Sequence, residues 1–121
     1  MHHGEFLRLH SKDDHLVYHL GRDWQAADLD EQERAMLRFV VKLNASPGKV
    51  AAGDVDALRR AGFDDRGVLD IVLITATFNF MNRLADGLGI RAEAQVRALM
   101  ERKARQVEDS LAAPRRESAA E

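Results

Sequence analysis

A long apolar segment in the middle of the chain restricts the possible folds more than any other feature. It runs from Val68 to Met81, carries Asp70, and is shorter than the roughly 20 residues that cross a bilayer. Apolar side chains lie on several sides of a helix over this region: Val68, Ile71, Val72, Leu73, Ile74, Phe78, Phe80, Met81 and Leu84. A helix that is apolar nearly all round is surrounded by protein. We therefore predict a helix from about Asp65 to Asp86, at the centre of the domain or also forming a subunit interface.

The rest of the chain favours an all-α fold in one domain. β-branched residues cluster only inside longer helical patterns, and the two prolines, Pro47 and Pro114, fall at apparent boundaries. With 121 residues, of which 45% are apolar, the chain can bury one core. We predict a single helical domain over residues 1–113 and a flexible polar tail over residues 114–121.

Two pairs of residues have the spacing of a capping box, in which two side chains satisfy the first amides of a helix. Asp30 and Glu33 predict the start of a helix that continues to about Asn44, and Ser11 and Asp14 predict the start of a shorter one. A further short helix is predicted over 54–61, with Gly62 as the residue that ends it.

Charge and cysteine content exclude several functional classes. The net charge is −2, with scattered Lys and Arg, so a nucleic-acid partner is not expected. The chain has no cysteine, which excludes disulfides and thiol nucleophiles within it. No apolar stretch follows a basic region at the N-terminus, so we predict a cytoplasmic protein without a membrane partner.

All five histidines lie within the first 19 residues. His15 and His19 are spaced i, i+4 and could present two nitrogens on one helix face. Because no third ligand has a recognised spacing, we predict a surface pair without a metal ion, and no cofactor.

Polar residues on the central helix are the other candidates for a site. Asn79, Asn82 and Arg83 share one helix face, Asp86 could pair with Arg83, and Asp70 lies further towards the N-terminus. Such residues could form a structural network that fixes helix packing. Alternatively, they line a cavity and orient a substrate or a catalytic imidazole.

Two stretches together resemble a known family. One is His-His-Gly-Glu-Phe-Leu-Arg over 2–8, and the other contains Ala-Gly-Phe-Asp-Asp over 61–65 and Phe-Asn-Phe-Met-Asn-Arg-Leu-Ala-Asp-Gly-Leu-Gly over 78–89. They resemble the peroxidase-related branch of the carboxymuconolactone decarboxylase superfamily, to which alkylhydroperoxidase D belongs. The resemblance extends to about Ile90 and implies an alkylhydroperoxidase D-like helical bundle.

The resemblance implies thiol-dependent reduction of hydroperoxides, an antioxidant activity. The family motif is Cys-x-x-Cys with a histidine four residues after the second cysteine; His3 matches that histidine, and His2 matches its neighbour. Both cysteines would then precede Met1, so the sequence looks like the C-terminal portion of a family member. By this resemblance His3 belongs to a proton relay, but without a sulfur nucleophile we expect the chain as written to be inactive.

Two other functions stay open at this point. The superfamily contains decarboxylases that do not use the cysteine pair, for which His3 would be the matching acid/base and a lactone acid the substrate. The chain could instead be a non-catalytic helical module for assembly, since exposed apolar surface favours self-association. The resemblance also implies a homo-oligomer.

Overall fold

The computed structural model describes residues 3–91 and 94–112, and most of them lie in six α-helices. The helices are α1 (His3–Ser11), α2 (Asp14–Arg22), α3 (Glu31–Ala45), α4 (Ala52–Arg60), α5 (Asp65–Gly87) and α6 (Ala94–Ala112). Short 3₁₀ turns precede α3 and α4, at Trp24–Ala26 and Pro47–Lys49. No strand occurs in the described ranges, which confirms the predicted all-α class. The predicted tail over 114–121 lies outside the described residues.

Local hydrogen bonds explain where the helices begin, and one predicted cap is wrong. The Glu33 amide donates to Asp30 Oδ1 at 2.8 Å and the Asp30 amide to Glu33 Oε2 at 2.9 Å, which confirms the predicted capping box of α3. For α2 the cap is Asp13 rather than Ser11, because Asp13 Oδ1 accepts from the Leu16 amide at 2.9 Å. Ser11 instead ends α1.

The end of α4 follows the prediction, whereas its start is earlier. The helix begins at Ala52, because Asp54 accepts the Ala51 amide at 2.8 Å from a position inside the first turn. Gly62 has a φ of 104°, a left-handed conformation that favours glycine, and the next amide, of Phe63, donates back to the Leu58 carbonyl at 3.1 Å.

The described residues divide into two compact units, and one of them is Leu29–Arg91. In this unit α3 packs against both α4 and α5. Its core consists of Phe39, Leu58 and Ile71, of which Leu58 is completely buried. Partly buried apolar side chains pack around these three: Met36, Val40, Leu43, Val50, Val55, Phe63, Val68 and Val72.

The other unit contains α1, α2 and α6. Within it, α2 packs against α1 and α6. The Tyr18 hydroxyl donates to Glu108 Oε1 at 3.1 Å, and Arg22 forms an ion pair with the same carboxylate at 2.7 Å. Arg8 pairs with Asp14, which joins α1 to α2.

Helix α5 has the predicted position but not the predicted surroundings. Only Ile71 and Thr75 are buried on it, so the prediction that protein surrounds this helix is wrong for the part of the chain that the structure describes. The large apolar side chains that are exposed on it and just after it are Leu69, Leu73, Ile74, Phe78, Phe80, Met81, Leu84, Leu88 and Ile90. An 18-residue window of α5 has a mean hydropathy of 1.3, so by length and composition alone it could cross a bilayer. Core helices of soluble proteins share that property.

Candidate functional site

The histidines that the family resemblance singles out lie at the edge of what the structure describes. His3 is the first residue of α1, but its side chain is outside the described part of the chain, and so is the whole of His2. Their proton-relay role therefore stays a prediction.

Two of the predicted polar residues of α5, Asn79 and Arg83, are linked by hydrogen bonds. The Asn79 amide group donates to Asn44 Oδ1 at 2.7 Å, which ties α5 to α3. Arg83 donates to the Asn79 backbone carbonyl at 3.2 Å, rather than to Asp86. Asn79 is half-buried, whereas Asn82 and Arg83 are exposed. Because Asn79 joins two helices, its observed contact is a packing contact.

Asp70 lies apart from these residues. It lies nine positions before Asn79, a distance of about 13 Å along a helix. Its carboxylate is 4.0 Å from Arg66 on the same helix, and both side chains are exposed. That Asp70, Asn79, Asn82 and Arg83 line a substrate cavity stays a prediction.

Sequence reasoning missed a groove between α3 and α4. It encloses about 500 Å³, which is within the size range of small-molecule sites. The residues that line it are Glu31, Ala35, Arg38, Phe39, Lys42, Asp54, Ala57, Arg60 and Ala61. On α3 they recur at helical spacing, so the face itself could have been found from the sequence. What could not be found is that α4 presents a matching face to it.

Ion pairs lie along this groove, which we call the α3/α4 groove. Arg38 pairs with Glu31 at 2.5 Å, and Lys42 donates to both carboxylate oxygens of Asp54 at 2.7 Å. The Lys42 hydrogen bond, with that of the Ala51 amide, holds the pKa of Asp54 below its ordinary value. Asp54 is therefore a fixed anion that joins the two helices.

The described residues offer neither a nucleophilic sulfur nor a metal centre. The whole chain contains no cysteine. Within the residues that the structure describes, no group of three or more His, Asp or Glu side chains could hold a metal ion.

Burial, and then the bond to Glu108, raise the pKa of Tyr18, so this phenol stays protonated at neutral pH.

Two solved structures are similar to this chain. One is an uncharacterized peroxidase-related protein from Silicibacter sp. TM1040, with 33% identity and a TM-score of 0.73. The other is an uncharacterized peroxidase-related protein from Ralstonia eutropha JMP134, described as an alkylhydroperoxidase AhpD core, with 34% identity and a TM-score of 0.70. Each match covers 77% of this chain and 49% of the other, so this chain spans about half the length of either structure. No family model and no curated protein matches. The two structures confirm the family resemblance and the fold that it implied.

Proposed function

We propose that this chain, a relative in sequence and fold of the peroxidase-related, AhpD-like proteins, is a helical scaffold that does not itself reduce hydroperoxides. The observation that supports this proposal is the absence of cysteine from all 121 residues.

The chemistry explains why cysteine matters. Reduction of a hydroperoxide by a thiol begins when a thiolate attacks the peroxide oxygen, giving a sulfenic acid and an alcohol. A second thiol then condenses with the sulfenic acid to a disulfide and releases water, and an external dithiol restores both thiols. The four methionines do not replace this pair, because methionine oxidation consumes the side chain and is not reversed without a reductase.

The test is a turnover assay on the 121-residue chain. The chain is incubated with cumene hydroperoxide and dithiothreitol, and the remaining hydroperoxide is measured over time. We expect hydroperoxide to be consumed only at the rate that dithiothreitol gives without protein. A cysteine-containing alkylhydroperoxidase D is the positive control and should consume many equivalents of hydroperoxide. Sustained consumption by this chain would contradict the proposal, and its loss in His3→Ala would then identify a reaction that depends on His3.

The exposed face of α5 favours a second function, assembly with another copy of this chain. Leu73 is 53% exposed, Ile74 59% and Phe80 64%, although a single-chain fold normally buries such side chains. Contiguous apolar surface on a soluble protein marks an interaction site. Burial of apolar area contributes about 25 cal/mol per Å², so covering this face would favour association strongly.

Sedimentation velocity at increasing protein concentration tests this second function. We expect the population to move towards faster-sedimenting species as concentration rises. A single slow species at every concentration would count against self-assembly and leave the first proposal unaffected, because the hydroperoxide assay does not depend on association.

A further inference from the structure

The α3/α4 groove has an apolar floor with unfilled space above it. Phe39 is 5% and Ala35 9% exposed, and together they form the base on the α3 side. On the other side the groove is lined by Ala57 and Ala61, whose side chains end at Cβ. Short side chains on both sides leave the volume of about 500 Å³ open. All of these residues belong to the same compact unit, Leu29–Arg91.

Charges along the groove do not cancel. Arg38 is neutralised by Glu31, and Lys42 by Asp54. Arg60 is the fifth charged residue of the lining, and it forms no ion pair within the part of the chain that the structure describes. The groove therefore combines an apolar floor with one net positive charge, carried by a guanidinium.

The neighbouring arginine, Arg59, differs from Arg60 in both its ion pairs and its position relative to the groove. Arg59 pairs with Asp56 at 3.0 Å and with Asp65 at 2.9 Å, and it does not line the groove. These carboxylates raise the pKa of Arg59, with Asp65 the larger cause. Two adjacent arginines thus differ in surroundings, and only Arg60 lies where a bound anion would meet it.

We infer that the α3/α4 groove binds a small organic acid with an apolar body, its carboxylate on Arg60 and its hydrocarbon part over Ala35, Phe39 and Ala57. A planar carboxylate matches a guanidinium through two parallel hydrogen bonds. One net charge in the groove suits a monoanion better than a phosphate ester, which carries more charge. This ligand site goes beyond the scaffold role proposed above and does not depend on it.

Calorimetric titration of the folded chain with sodium decanoate, below its micelle concentration, tests the site. Decanol, which has the same hydrocarbon chain without the charge, is the matched probe. We expect decanoate to bind more tightly than decanol, and its affinity to fall as salt is raised, because the guanidinium is exposed to solvent. Equal affinities for the two probes, or no binding of decanoate, would overturn the inference.

Matched variants separate the groove from other surfaces. Arg60→Gln is expected to weaken decanoate binding by about tenfold, as expected for loss of one charge-assisted contact, while Arg59→Gln leaves it unchanged. Ala57→Leu places a larger side chain in the groove at an exposed helical position, so it should abolish binding without unfolding the chain. Circular dichroism verifies the fold of each variant. An unchanged affinity in either Arg60→Gln or Ala57→Leu would refute the site.

The exposed face of α5 is the alternative place for an apolar probe to bind. Amide chemical shifts in ¹H–¹⁵N spectra, recorded during the titration, distinguish the two places. The inference predicts the largest shifts at Ala35, Ala57 and Ala61. Shifts concentrated at Leu73 and Phe80 would overturn it.

Discussion

The inner and outer sides of α5 are made of similar residues but meet different surroundings. On the inner side Ile71 is 7% exposed and belongs to the core that Phe39 and Leu58 complete. On the outer side Leu73 and Ile74 are each more than half exposed. The difference shows that apolar character alone does not decide burial. One side of this helix holds the unit Leu29–Arg91 together, and the other is exposed.

Polar groups on α5 fit this division. Thr75 is buried, and its hydroxyl donates to the Ile71 carbonyl at 2.7 Å, so the hydroxyl remains hydrogen-bonded without water. Thr77 makes the same bond to the Leu73 carbonyl at 2.8 Å on the exposed side. Neither hydroxyl needs another partner, so both sides of the helix can be covered by apolar groups.

The largest expected effect comes from a cavity in the core. Leu58→Ala removes the completely buried side chain of α4 and should lower the free energy of unfolding by about 2–5 kcal/mol. Val41→Ala, on α3 at a side chain that is 46% exposed and outside the apolar face of α5, is the control and should cost much less. Urea unfolding measures both. Equal losses would break the comparison between a buried core and an open face.

A smaller effect is expected at the start of α3. Asp30→Ala removes the side chain that accepts the Glu33 amide and should lower the free energy of unfolding by about 1 kcal/mol. Asp28→Ala removes a nearby exposed carboxylate and is the control. If the two variants were equally stable, the capping box would contribute nothing beyond local charge.

The smallest effect is a pH dependence at the junction of α3 and α4. The Asp54 pKa is lowered in the folded chain, so its stabilising contribution is present above its ordinary value of 3.8 and is lost as pH falls through the folded pKa. The stability difference between the natural chain and Asp54→Asn should therefore shrink as pH is lowered from about 5 to below 3. Thermal unfolding across this range measures it. A constant difference would show that the Lys42 contact does not stabilise the folded state.

Local sequence signals predicted the helices well, because caps and periodicity act over a few residues. Asp30 with Glu33, and Gly62, are examples that the structure confirms. Burial on α5 was predicted poorly, since periodicity cannot tell which partner, if any, covers an apolar face. The α3/α4 groove was missed for a related reason: Ala57 and Ala61 look unremarkable until another helix lies opposite them. The family resemblance, carried by a specific motif over 78–89, was confirmed by the two similar structures.

Light scattering coupled to size-exclusion chromatography tests most directly whether the outer side of α5 is an interface. We expect the natural chain to have a mass of at least twice 13.6 kDa, the mass of one chain. Leu73→Glu, which places a charge at an exposed position of this face, should have the mass of a single chain and an unchanged helical content. A natural chain of 13.6 kDa at every concentration, or an assembly that Leu73→Glu leaves intact, would contradict the account.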